Sequence, residues 1–259
     1  RKRGLGFRRA PFVETPIRHA VQCLYRYRTA MSDVARVSAA LISDARLRRL
    51  LADTHGDELL ADELFRWNVA ASGAAMESVH VFELVLRNAL DREMRVWHQG
   101  LAGTPDWLLQ PHPLVFKAVP RPKVELAVAQ ALKVARERGR PRTHDDVIAQ
   151  MSLGVWRYLL PSSSNAMKRK LWDLALYRAF SYWPGEWDPQ SIVARVATAH
   201  ELRNRVAHLE PLHLMDLRKA RRDMRSVLHA IGPDAARLFV DSDRLIPIIE
   251  TNPLGDGAA

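Results

Sequence analysis

The stretch His200-Glu201-Leu202-Arg203-Asn204-Arg205-Val206-Ala207-His208-Leu209-Glu210-Pro211 gathers three side-chain types that together can handle a phosphodiester. Arginine grips a phosphate bidentately, histidine moves protons near neutral pH, and an amide orients its neighbours. On a helix, Ile192, Val196, Ala199, Leu202, Val206 and Leu209 recur every three or four residues and form an apolar stripe. Asn204 and His208, four apart, share a face away from that stripe, where Asn204 is expected to hold the imidazole. Arg203 lies about 100° round from Asn204, and its long side chain reaches the same site. Cleavage of RNA through its own 2′-hydroxyl needs these three functions. The same residues can instead satisfy the last carbonyls of a helix and interact with its dipole, and spacing alone leaves both readings open. Such chemistry is best served by an acid and a base. His200 is separated from His208 by eight residues, about 12 Å along a helix, too far for both to touch one phosphate. A twofold dimer pairing two copies of Arg203 and His208 is the simplest remedy.

Helical spacing dominates the chain, and the expected fold is all-α, a single bundle of about seven or eight helices. Ser32 or Asp33 opens a helix running to about residue 51. A longer one spans 59–97, with Leu64, Trp67, Ala71, Ala75, Val79, Phe82, Leu86 and Ala89 as its buried stripe. Glycines and prolines between Gly100 and Pro122 break the chain. Helices follow over 123–138, from the Thr143/Asp146 capping box to about 160, over 166–180, over 189–209 from the Asp188-Pro189 cap, and over 212–231. A short last helix follows Gly232-Pro233. The organisation expected is a basic arm over 1–30, a helical domain over 31–250 and a frayed tail over 251–259.

The 259 residues carry 39 basic and 29 acidic side chains, a net charge of +10, and 47% hydrophobic residues. That hydrophobic content excludes wholesale disorder. The lone Cys23, read as a buried small hydrophobe, excludes a disulfide framework or a multi-thiolate metal site within one chain. No HExxH, phosphate-binding glycine loop or carboxylate triad appears, so neither a metal nor a cofactor is expected. Charge-free runs stop at about ten residues, as from Trp67 to Met76, short of a membrane span, and Arg1-Lys2-Arg3 does not begin a secretory signal. The expectation is a soluble, cytoplasmic protein with no membrane partner. Positive charge is concentrated in residues 1–50, at net +9, and in clusters such as Arg136/Arg138/Arg140/Arg142, Lys168/Arg169/Lys170 and Arg218/Lys219/Arg221/Arg222/Arg225. Such clusters attract polyanions, and they serve equally as a solubilising surface. Lys168, Arg169, Lys170 and Arg205 are the candidates for steering RNA.

Around these residues the chain resembles the abortive-infection (Abi-like) proteins, within the HEPN superfamily of helical ribonucleases. The superfamily signature is an arginine, a polar residue, then a histidine four to six positions after the arginine, here Arg203, Asn204 and His208. Arg46-Leu47-Arg48-Arg49-Leu50-Leu51 with Leu64-Phe65-Arg66-Trp67-Asn68 matches an early "RLxxLL … YxWN" pattern, and Phe82 to Ala89 matches "EvalRNa". Met151-Ser152-Leu153-Gly154-Val155-Trp156 matches "FGxW" with Leu153 for phenylalanine, Leu171-Trp172 matches "LW", and Leu202 to Pro211 matches "LRNRxAHxEP". The matches keep their order and cover about residues 40 to 215. Two departures stand out: Leu209 replaces a second histidine, and Glu210 occupies the place of a tyrosine that some relatives have modified.

The resemblance implies a HEPN-like bundle, a homodimer, and a metal-independent endoribonuclease that leaves 2′,3′-cyclic phosphate and 5′-hydroxyl ends. It further implies a toxin of antiviral defence, with an antitoxin or a phage-derived trigger as possible partners. Secondary candidates are Glu83, Arg87, Asn88 and His200. Glu83 and Arg87 can form an intrahelical pair or border the cleft, and Asn88 beside Arg87 partly echoes Arg203-Asn204, although Arg92 stands where a histidine would follow. Trp156, Trp172, Trp183 and Trp187 can stack on bases, with core packing the favoured role for Trp156 and Trp172. The rival reading is a non-catalytic HEPN-like module that binds RNA or a protein, and a third is a purely structural bundle.

Overall fold

A computed structural model describes residues 42–185 and 188–255. The basic arm, Cys23, Trp187 and the last four residues lie outside them. The described residues are helical with no strand, as expected of an all-α chain. They hold eleven α-helices rather than seven or eight, because several expected helices are interrupted. The chain divides into two compact units, residues 1–66 and 67–259.

In the first unit, α1 spans Asp44–Asp53 and buries Leu47 and Leu50. It opens at Ser43, not at residue 32 or 33, because Ser43 is extended and its hydroxyl accepts the Arg46 N–H. Residues 32–41 lie outside the described region. His55 and Gly56 at positive φ turn the chain into α2, Glu58–Ala102, which starts in the first unit and continues into the second.

The second unit contains α3 (Pro113–Ala118), α4 (Arg121–Glu137), α5 (His144–Gln150), α6 (Leu153–Leu159), α7 (Ala166–Leu174), α8 (Pro189–Ala207), α9 (Leu217–Ile231), α10 (Pro233–Ser242) and α11 (Leu245–Glu250). Helix α9 packs on α8, α10 and α11, while α6 lies on α8, α5 on α4 and α3 on α7. The expected stripe of α2 is buried throughout, from Leu64 to Ala89. This helix is long and apolar enough by composition to cross a membrane, yet Val79, Phe82 and Leu86 are fully enclosed by the protein. Polar ties complete its seating: Trp67 Nε1 donates to the Ile248 carbonyl at 2.8 Å, and Ser78 Oγ to the buried Asp243 at 2.9 Å.

The expected helix from Thr143 to residue 160 is two helices. Thr143 and Asp146 form the capping box, and Met151 and Ser152 then adopt extended backbone before α6. Met151, Leu153, Val155 and Trp156 are all buried, and at 100° per residue no single straight helix puts these four on one face. The break lets both sides of the segment enter the core. The expected helix over 166–180 likewise ends at Leu174 and tightens into a 3₁₀ turn, Leu176–Ala179. Beyond it, Trp172, Phe180 and Trp183 cluster with ring centroids 5.6–6.0 Å apart. Helix α9 begins at Leu217 rather than 212 because Asp216 caps it, accepting the Lys219 N–H at 2.7 Å.

Buried Asp91 joins α2 to the glycine- and proline-rich segment and to α5. Its Oδ1 accepts Trp107 Nε1 at 2.8 Å and His144 Nε2 at 2.9 Å, and its Oδ2 accepts Arg95 Nε at 2.7 Å. Asp106 lies 3.7 Å from the other ring nitrogen of His144, too far for a hydrogen bond. Burial alone would raise the Asp91 pKa, but the donors from His144, Trp107 and Arg95 hold it below the ordinary value of 3.8. Its stabilisation is therefore complete above that value and is lost as pH falls through the lower folded value. Asp91→Ala strands these buried donors and should cost about 3 kcal/mol or more in urea denaturation. A loss within about 0.5 kcal/mol, the level of a neutral surface change, would refute this role.

Candidate functional site

Helix α8 is defined at both ends by local chemistry. Asp188 accepts the Ser191 N–H at 2.9 Å and Pro189 occupies the first turn. Ile192, Val196, Ala199, Leu202 and Val206 are buried, whereas the last member of the expected stripe, Leu209, is exposed beyond the helix end. At the C-terminus, the Leu209 N–H bonds the Val206 carbonyl at 3.1 Å and the Glu210 N–H bonds the Arg205 carbonyl at 2.8 Å. This is a Schellman closure with leucine at the left-handed position, φ 56°, where glycine is usual. His208 is the C-cap residue, and its side chain is exposed.

Asn204 stands four residues from both His208 and His200, and it bonds His200. Its Nδ2 lies 3.4 Å from His200 Nδ1, and Arg203 Nη1 donates to its Oδ1 at 3.4 Å. The expected orientation of His208 by Asn204 is therefore corrected: the His208 N–H keeps its helical bond to the Asn204 carbonyl at 2.9 Å, but the Asn204 side chain is taken up by His200 and Arg203. Arg157 of α6 completes the arrangement, its Nη1 lying 3.1 Å from the same His200 Nδ1. A guanidinium only donates, so His200 Nδ1 is an acceptor and the ring proton sits on Nε2. Burial lowers the His200 pKa below 6.5, and Arg157, Arg203 and Lys123 lower it further, so the ring is neutral at pH 7. A Cβ added to Gly154 would stand 3.0 Å from His200 Nε2, so the glycine of the "FGxW" match gives the imidazole its room.

From α2, half-buried Glu83 stands near the Leu153 N–H at the start of α6, which favours its charged form. Burial raises its carboxyl above the ordinary value of 4.5, and the charges of Arg203 and Arg87 offset only part of that. Arg203 thus acts on Glu83 more strongly than its helix neighbour Arg87 does, and no Glu83–Arg87 hydrogen bond forms. Arg87 Nε is buried without a hydrogen-bond partner, and Asn88 is exposed. Glu83, Arg87, His200, Arg203 and Asn204 thus belong to one neighbourhood, while His208 stands at its open end.

The residues expected to steer RNA are mostly engaged. Lys168 is buried, with Nζ 3.3 Å from the Tyr158 ring centroid, and desolvation lowers its pKa. It is a packing cation, not an open one. Arg169 donates to the carbonyls of Ser162 and Ser163, and Arg205 pairs with Glu201 and donates to the Pro211 carbonyl at 3.3 Å. Lys170 remains exposed. Trp156 and Trp172 are core residues, and Trp156 meets Trp107 edge to face. Among the described residues no three His, Cys, Asp or Glu side chains gather in a metal-holding set.

Arg157, Lys123 and Asn68 were not singled out by spacing. Asn68 Oδ1 accepts the Leu212 N–H at 2.7 Å and so anchors the loop that follows His208. Its only signal was the "YxWN" match, and nothing local connects Arg157 with a helix some forty residues later. Comparison of the chain with known protein families, curated proteins and solved structures returns no match.

Two outcomes test this geometry. Gly154→Ala should displace the His200 ring, read as a changed imidazole resonance and a changed titration midpoint, which in the parent lies below 6.5. An unmoved resonance would dismiss the close approach. Leu209→Gly should raise stability by about 0.5–1 kcal/mol in urea, by relieving the left-handed leucine, and destabilisation by that variant would argue against strain there.

Proposed function

We propose that the chain is a metal-independent endoribonuclease acting in the cytoplasm as a homodimer, with Arg203 and His208 at its catalytic centre. One observation supports this best. Segments far apart in sequence, carrying Asn68, Glu83, Gly154 and the 200–208 stretch, meet along the last turns of a single helix and the loop after it, where an arginine and an exposed histidine stand five residues apart. A purely structural helix cap does not require such convergence.

In the proposed reaction the RNA 2′-hydroxyl oxygen attacks the adjacent phosphorus and the bond to the 5′-oxygen breaks. One His208 takes the 2′-hydroxyl proton, and the His208 of a second copy protonates the departing 5′-oxygen. Arg203 holds the phosphate and offsets the charge that builds on it. The products are a 2′,3′-cyclic phosphate and a 5′-hydroxyl. Asn204 positions Arg203 against His200, a role revised from orienting His208. The resemblance to abortive-infection proteins makes a toxin of antiviral defence the biological setting, restrained by an antitoxin or released by a phage-derived trigger.

A non-catalytic RNA- or protein-binding module is the second reading, and one observation favours it: no described side chain hydrogen-bonds the His208 ring to fix its direction. Incubation of the purified full chain with RNA in EDTA separates the two. Cleavage that survives chelation and falls by about 10²-fold or more in Arg203→Ala and His208→Ala supports the enzyme. Salt-dependent RNA binding without product, unchanged in His208→Ala, would replace it with the module.

A further inference from the structure

The neighbourhood of His200 has a chemistry of its own. Its imidazole is fixed from one side by two donors, Arg157 and Asn204, which leaves Nε2–H on the opposite edge, beside the space that Gly154 leaves open. Among the described residues Nε2 has no hydrogen-bond partner. Arg157 comes from α6, Lys123 from α4 and Arg203 from α8, so three elements bring cations to one imidazole. Like charges gathered around a neutral ring repel one another unless an anion lies between them, and a donor N–H with no acceptor completes the pattern of an anion site.

We propose that Arg157, Lys123, Arg203 and His200 Nε2–H form a phosphate subsite within one protomer, which holds a backbone phosphate of RNA other than the one cleaved. His200 lies two helical turns from His208, about 12 Å along the axis, so a phosphate gripped at His200 is not the phosphate at His208. Arg203, between them, serves both positions. His200 here is a neutral hydrogen-bond donor, not a proton shuttle, because the Arg157 guanidinium at Nδ1 opposes protonation of the ring. Among the described residues the carboxylate acting on this group is Glu83, which answers Arg203 and Arg87 and not Arg157 or Lys123. Gly154 keeps the imidazole edge clear. This deepens the ribonuclease reading and depends on it for the identity of the anion as RNA.

The test uses the full chain and a 2′-O-methyl oligoribonucleotide, which lacks the attacking hydroxyl and so reports binding alone. Fluorescence anisotropy should show Arg157→Ala and Lys123→Ala each weakening binding about tenfold, with Arg157→Lys recovering part of the loss. Both residues are exposed, and circular dichroism confirms that the variants fold. An imidazole titration provides a readout that a structural role would not move: the His200 midpoint rises when the oligonucleotide, or inorganic pyrophosphate alone, is added. Competition by pyrophosphate assigns the recognition to phosphate. Binding within about twofold of the parent in both alanine variants, or a His200 midpoint indifferent to both ligands, would overturn the subsite. The failures are separable: Arg157-dependent binding without cleavage of ordinary RNA sinks the nuclease and keeps the subsite, whereas cleavage with Arg157-independent binding does the reverse.

Discussion

A buried carboxylate with three donors sets the arrangement from which the candidate site follows. Asp91 gathers Trp107 from an otherwise irregular segment, His144 from the start of α5 and Arg95 from its own helix. Each donor alone would be costly to bury unpaired, and together they make the burial of the charge tolerable. With the first residue of α5 fixed to α2, the chain must turn at Met151 and Ser152 to bury both Met151 and Leu153. That turn lays α6 along α8, and Gly154 and Arg157 arrive beside His200 as a result. The chemistry near His200 is thus downstream of packing that involves none of its own residues.

Much of this was legible in the residues, and the limits are physical. The stripe of α8 up to Val206, its Asp188 cap and the Thr143 capping box rest on local periodicity and local hydrogen bonds, and the structure has them where spacing put them. The partner of Asn204 was not legible. Histidines stand four residues away on either side, and a periodic argument cannot choose between them. The choice falls to His200, which Arg157 of α6 also engages, and no spacing rule brings that distant helix into view. The break at Met151 escaped for a related reason: it is driven by burial of residues on opposite sides of one segment, a demand set by neighbours distant in sequence. Lys168 shows the same limit, since a run of three cations reads as surface until Tyr158 is seen beneath one of them.

The charge balance reads differently once partners are assigned. A net +10 suggests a broadly attractive surface. Several guanidinium groups, however, are bound to carboxylates or carbonyls: Arg140 to Asp146, Arg221 to Asp243, Arg244 to Glu77, Arg205 to Glu201. Arg157 and Lys123, by contrast, stand near a neutral ring and have no ion pair among the described residues, and the proposed phosphate subsite rests on that contrast more than on the total.

The loop that carries the chain away from His208 is secured at short intervals. Leu209 bends it through a left-handed step, Arg205 holds the Pro211 carbonyl, and Asn68, 144 positions earlier, holds the next amide. A side chain mounted just ahead of such a fastening loses its backbone freedom when the protein folds, not when a ligand arrives. Any molecule met by that imidazole therefore finds its main chain already in place, and the entropic penalty of ordering the segment is absent from the encounter.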